Sequence, residues 1–344
     1  MTTYHPFNEL LKARLREFFR EPETIFWVYA FPVLLAIGLG IAFRNRPAER
    51  VFVDLQQHPA AEEVSRNLKR MPDFVVSIHP KPECMERLRL GKSALVVIPG
   101  DSITYLFDPS RPESVLARQR IDDALQRAAG RRDPLSTSDR HVAEPGTRYI
   151  DFLIPGLIGM NLLAGSMWAV GYVIVDMRVR KLLKRFVATP MKRSHFLWSA
   201  ISGRLAFMIP ELIVILGAGV ILFEFPIRGN VFSILVLSLL GTISFTGLGL
   251  LASCRAQKLE TISGIMNVIM MPMWLLSGVF FSPARFPDAL QPFIQALPLT
   301  QFNDALRAVI LEGASLSSQL WKMMFIAAWG AISYLCTLRW FRWN

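Results

Sequence analysis

Cysteine is scarce in this chain: three among 344 residues, at Cys84, Cys254 and Cys336. No CxxC pair and no Cys/His cluster is present, which excludes a zinc site or a disulfide framework and leaves three free thiols. Histidine is also thin. His5, His58, His79, His141 and His195 are scattered without ligand spacing, so they read as surface residues. No GxSxG, HExxH or kinase-like set occurs, and no enzyme chemistry is written in the chain. The GKS triplet at Gly91–Ser93 invites a phosphate-loop reading. That loop needs a glycine five residues before Gly91, where Glu86 stands. Gly91 reads instead as the end of a helix over 82–90. Acidic residues are outnumbered, 27 against 38 Lys and Arg, for a net charge of +11.

What the chain has is apolar length. It is 52% hydrophobic with mean hydropathy +0.35, above soluble norms. A bilayer core about 30 Å thick needs roughly 20 apolar residues of helix. Six segments meet or approach this: 25–43, 152–175, 205–223, 231–254, 261–281 and 317–338. The basic residues sit beside these runs, which fits a membrane protein rather than a nucleic-acid binder. With the N-terminus inside, sixteen Lys and Arg near the span ends fall on the inner side and four on the outer. The bias makes both termini cytoplasmic and the polar region 44–150 extracytoplasmic. No A-x-A site closes the first span, so it reads as an uncleaved anchor. Residues 7–19 read as an amphipathic helix on the inner interface, with Phe7, Leu10, Leu11, Leu15, Phe18 and Phe19 at helical spacing.

The fold class expected is therefore an α-helical polytopic membrane protein of six spans, with an α/β domain inserted between the first two. The divisions are an interfacial helix (1–24), TM1 (25–43), the inserted domain and linker (44–150) and a five-helix region (151–344). Within the last lie TM2 (151–175), a loop (176–204), TM3 (205–223), TM4 (231–254), TM5 (261–281), an outer hairpin and interfacial helix (282–312) and TM6 (317–338). In the inserted domain, strands at 51–55, 74–78, 94–98 and 103–107 alternate with helices at 62–70 and 82–90, and a helix follows at 113–129. Such alternation predicts a partly parallel sheet. Residues 130–146 form a charged, Pro- and Ser-containing linker.

Three features carry functional weight. The loop 176–193 holds seven Lys or Arg against Asp176 alone. Within it Val179, Leu182, Leu183, Phe186 and Val187 form an apolar stripe, ended by Thr189-Pro190. It reads either as an orienting cluster on anionic lipid or as a helix that docks in a groove on a cytoplasmic partner. Glu211 lies inside the third span, where an acid is costly. It reads as a polar pathway contact or as a hydrogen bond across the bundle, with Asn161 and Asn267 as candidate partners. Pro283, Pro287, Pro292 and Pro298 break the stretch after the fifth span, which reads as a partly re-entrant hairpin followed by an interfacial helix or as an ordinary outer loop with a surface helix. Small residues Gly156, Gly159, Ala164, Gly165, Gly241, Gly247 and Gly249 suit close helix packing.

Three stretches resemble a known family. VRKLLKRFVATPM (179–191), NVIMMPMWLLSGVFF (267–281) and LPLTQFNDALR (297–307) look like the coupling loop, fifth span and outer segment of the type-2 ABC transporter permeases. The resemblance covers essentially the whole chain, and the large outer domain marks a subgroup. It implies a permease subunit of an ATP-driven exporter of lipid-like, drug-like or other amphiphilic substrates in a bacterial inner membrane. ATP and Mg would sit on a separate ABC ATPase subunit, in two copies, with a second permease alongside and no cofactor in this chain. The coupling residues implied are Asp176, Lys181, Leu183, Lys184, Arg185, Phe186, Thr189 and Pro190. The outer gate implied is Pro272, Ser277, Gly278, Pro298 and Arg307. One departure is visible: where many members carry an acidic pair and a glycine before the loop helix, this chain has Asp176, Met177 and Lys181, with Asp176 as the replacement acid. The competing readings are a membrane-anchored sensor or envelope scaffold using the outer domain, and an integral membrane enzyme.

Overall fold

A computed structural model describes residues 6–43, 50–71, 73–100, 102–132, 134–135, 148–182 and 193–340. The chain is an α-helical polytopic membrane protein with an α/β insertion. It divides into two compact units, residues 45–142 and the remainder.

The smaller unit is a four-stranded sheet in the order β2-β1-β3-β4. The strands are β1 (Val51–Gln56), β2 (Phe74–His79), β3 (Leu95–Ile98) and β4 (Thr104–Leu106). β1 runs parallel to β2 and β3, while β4 is antiparallel to β3. Parallel neighbours need crossovers, and helices α2 (Ala61–Lys69) and α3 (Lys81–Arg89) supply them. Period-2 alternation sends Val53, Leu55, Leu95 and Val97 to one face, where Leu68 of α2 and Ile121 of α4 (Pro112–Ala128) cover them. On the opposite face Arg87 of α3 pairs with buried Asp54 at 2.9 Å, and the Cys84 thiol donates to the His79 carbonyl. Gly91 follows α3 at φ +71, the left-handed conformation that glycine adopts at little cost.

The larger unit begins with α1 (Pro6–Arg20), which lies along the third span; the Phe19 and Phe207 ring centroids are 6.4 Å apart. Among the described residues six helices are long and apolar enough to cross a membrane: Pro22–Phe43, Tyr149–Val179, Trp198–Phe223, Val231–Ser253, Leu259–Leu276 and Leu316–Trp340. Spans two and four each bury 67% of their apolar window inside the protein, the others 28% or less, so these two form the packed centre. The third-span helix begins earlier than its apolar core, at Arg193.

Two spans are interrupted by π-helical turns, at Phe26–Ala30 in span one and Met167–Tyr172 in span two. Span five stops at Leu276, although its apolar run continues to 281, because Gly278 takes φ +71 and turns the chain. Short turns at Pro283–Arg285 and Asp288–Leu290 lead to α5 (Gln291–Gln295) and α6 (Pro298–Glu312). The sequence suggests an interfacial helix here. α6 is instead buried over most of its surface, because it packs against spans two, four and six together.

Candidate functional site

A buried ion pair in the bundle interior is built on span three. Arg204 and Glu211 are seven residues apart, about two helical turns, and so share a face. The Arg204 Nη1 donates to Glu211 Oε2 at 2.7 Å, with the residues 3% and 1% exposed. Span two completes the guanidinium's partners: Arg204 Nε donates to Ser166 Oγ at 3.2 Å and Nη2 to the Leu162 carbonyl at 3.4 Å. Gly165 leaves the space this needs, since a Cβ there would lie 2.6 Å from Arg204 Nη2. Asn161 borders the Glu211 carboxylate and donates to the Val28 carbonyl at 2.8 Å. Tyr29, beside Val28, feels the charges of both Glu211 and Arg204.

Both π turns thus adjoin this pair: one contains Val28 and Tyr29, and the other begins directly after Ser166. A π turn widens the helix and re-aims side chains and carbonyls, which places such turns at functional sites. Glu211 Oε1 has no hydrogen bond of standard geometry among the described residues, and the Asn161 amide lies beside the same carboxylate. Of the three intramembrane candidates, Glu211 and Asn161 come together. Asn267 is exposed on span five. The sequence reading counts Arg204 among the orienting cations and passes over Ser166 and Tyr29. The seven-residue spacing from Arg204 to Glu211 was the available signal.

A second junction joins span five's end to α6 and span two. The Arg307 guanidinium donates to the Gly278 and Phe152 carbonyls and lies 3.8 Å from the Phe152 ring centroid. Asp304 faces it at 3.4 Å. Asn303 Nδ2 donates to the Ser277 carbonyl at 2.8 Å. Of the residues that the resemblance implies for an outer gate, Ser277, Gly278 and Arg307 meet here. Pro298 is buried at the start of α6, and Pro272 is exposed on span five. Asn303 and Phe152 join them without a sequence motif to mark them.

The third region is the end of span two. Asp176 pairs with Arg180 at 2.9 Å, and Lys181 takes φ +59. A left-handed non-glycine residue costs on the order of 1 kcal/mol and ends the helix sharply. Val179 and Arg180 are exposed there. Leu183, Lys184, Arg185, Phe186, Thr189 and Pro190 lie outside the described residues. No group of His, Cys, Asp or Glu that could hold a metal occurs among the described residues.

Comparison with known proteins agrees with this architecture. The chain is similar to ABC transporter G family member 20 of Dictyostelium discoideum, 24% identical over 62% of this chain and 29% of that protein. It is similar to the probable multidrug ABC transporter permease YbhR of Escherichia coli, 27% identical over 55% of this chain and 52% of that protein. It is also similar to YbhS of Escherichia coli, another probable multidrug ABC transporter permease, at 22% identity over 87% of this chain and 86% of that one. The chain spans about half or less of the length of the first two relatives. The profile of the ABC-2 family transporter protein matches residues 22–339, nearly the whole chain, and this protein belongs to that family of transport permeases.

Proposed function

We propose that this chain is the permease subunit of an ATP-driven exporter, working with two copies of a separate ABC ATPase and a second permease. The observation that carries the reading is the end of span two. There a left-handed turn at Lys181 presents Val179 and Arg180 outward from a helix rooted in the packed centre of the bundle. The charge bias of the span ends puts that end in the cytoplasm, with the termini, and the α/β unit outside. ATP-driven motion of the partner would act on this end and reach the Arg204–Glu211 cluster directly through span two.

A second permease is supported by span five. Its exposed face carries Asn267 with Val268 and Met271, and an amide turned toward hydrocarbon is costly unless a partner covers it. The substrate proposed is a lipid-like or drug-like amphiphile. Two relatives are named as probable multidrug permeases, and the buried Arg204–Glu211 pair would give such a molecule a polar contact in the bundle interior.

The test is capture of the ATPase. The purified native chain, co-expressed with its ATPase, is expected to retain it in detergent. Charge reversal at Lys181, Lys184 and Arg185 is expected to cut retention and ATP-dependent transport together. Transport unchanged by the reversal would sink the coupling role of this segment.

A further inference from the structure

The sheet of the α/β unit has two unlike edges. In the order β2-β1-β3-β4 its outer strands are β2 and β4. β4 is three residues long, and so short an edge offers little to a neighbouring chain. β2 is six residues long and reads FVVSIH, with no proline, lysine or acid to block pairing. Two bonds fix which of its backbone groups are open. The Val51 N–H donates to the Asp73 carbonyl at 2.8 Å, and the Gln57 N–H to the His79 carbonyl at 2.9 Å. Backbone groups alternate sides along a strand. Asp73, Val75, Ser77 and His79 therefore turn theirs toward β1, and Phe74, Val76 and Ile78 turn theirs outward. Among the described residues the partner on that outer side is the Met71 carbonyl, which accepts from the Phe74 N–H at 3.4 Å; the N–H groups of Val76 and Ile78 have none there. Ile78 is 39% exposed.

We propose that β2 pairs antiparallel with β2 of a second copy of this chain, so that two α/β units share one continuous sheet. This rests on the second-permease reading above and names the second permease as the same chain. A twofold axis at Val76 sets Val76 against its own counterpart, Phe74 against Ile78, and Asp73 against His79. Two observations select a second copy over a different chain. The outward residues stand symmetrically about Val76, so the same strand reversed meets each of them, as an isologous contact requires. The ends are also complementary: the exposed Asp73 carboxylate comes opposite the His79 imidazole at both. Glu83 holds Nδ1 of that ring at 3.0 Å, which leaves Nε2 for Asp73. Phe74 opposite Ile78 adds an aromatic–β-branched pair, a favourable cross-strand combination.

The experiment co-expresses two differently tagged full chains, one with Asp73→Cys and the other with His79→Cys, both carrying Cys84→Ala and Cys336→Ser. Cys84 is removed because its thiol lies 3.3 Å from the His79 carbonyl and would capture a cysteine at 79. Positions 73 and 79 fall between the hydrogen-bonded pairs, where opposed Cα atoms are about 4.5 Å apart, within disulfide reach. Mild oxidation of native membranes is expected to give a disulfide-linked dimer bearing both tags. Its yield is expected to be about tenfold that from either chain alone, whose own thiols would stand a strand's length apart. Ile78→Pro removes an outward N–H and no bond to β1, a change that edge strands tolerate, and is expected to lower the dimer about tenfold. Ile78→Lys leaves the backbone intact and is expected to lower it as well. A mixed disulfide untouched by both Ile78 variants, or equal yield from one chain alone, would mean proximity without strand pairing and would overturn the proposal. Tags that co-purify in detergent yet give no mixed disulfide would overturn it while leaving a second copy as the second permease. Tags that neither co-purify nor cross-link would remove the same-chain pair and the shared sheet together. A disulfide to a protein of different mass would show that the edge takes another partner, and would also overturn it.

Discussion

Arg204 and Glu211 are costly side chains to bury in this bundle. Moving either charge alone out of water costs several kcal/mol, and their mutual bond offsets that only while both are present. The contacts to Ser166 and the Leu162 carbonyl give the other two guanidinium nitrogens a partner each. Removing one partner strands the other. Arg204→Met or Glu211→Leu alone is therefore expected to destabilise the chain by about 3 kcal/mol, and the double variant to recover most of it. Thermal unfolding of the four proteins in detergent measures this as a double-mutant cycle. A double variant as unstable as the sum of the singles would mean the two charges do not interact. The sequence makes Glu211 conspicuous because an acid inside an apolar run stands out. Arg204 is less conspicuous because cations near span ends are common and have an orienting role. Only the fold shows that this one turns inward.

At the scale of elements, the spans pack by close backbone approach. Span two meets span four where a Cβ on Gly171 would lie 2.5 Å from the Gly249 carbonyl oxygen, and one on Gly249 would lie 2.9 Å from Met167 Cα. Both obstacles are backbone, so no rotamer change relieves the clash. Gly249→Val is expected to cost about 1–3 kcal/mol by forcing the two spans apart. It is also expected to weaken the bonds that Arg178 of span two donates to the Ser253 and Cys254 carbonyls at the end of span four. Hydrogen exchange of residues 250–256 would reveal this loosening; native protection in the variant would contradict it. Small residues in apolar runs were legible as packing surfaces, and so were the six spans and the strand–helix alternation of the insertion. The π turns were not. They depend on side-chain partners in other spans, such as Asn161 on the Val28 carbonyl, which local periodicity does not encode. The burial of α6 was missed for a similar reason. Its apolar residues fit one face of an interfacial helix, while Thr300 and Asn303, both 0% exposed, read as solvent-facing until spans two, four and six close around them.

At the scale of the whole molecule, the orientation implied by the charge bias has a direct chemical test. Thiol labelling suits this chain because two of its three thiols are buried. Cys84 and Cys254 are 1% and 3% exposed. In the α/β unit, burial pushes the Cys84 thiol above its ordinary value, and the nearby Asp54 carboxylate adds to the rise. A thiol with a raised pKa holds less thiolate at neutral pH, and the thiolate is the reactive form. Cys84 is therefore expected to stay unlabelled in the folded protein on whichever side it lies, and to react once denatured. With Cys336→Ser as background, Glu113→Cys places a thiol on exposed α4 and Gln257→Cys places one on the exposed turn before span five. A membrane-impermeant maleimide added to intact cells is expected to label position 113 and spare position 257. Inside-out vesicles are expected to reverse the pattern. The opposite result would place the α/β unit in the cytoplasm. It would also put Arg180 and Lys181 on the face where no ATPase could dock.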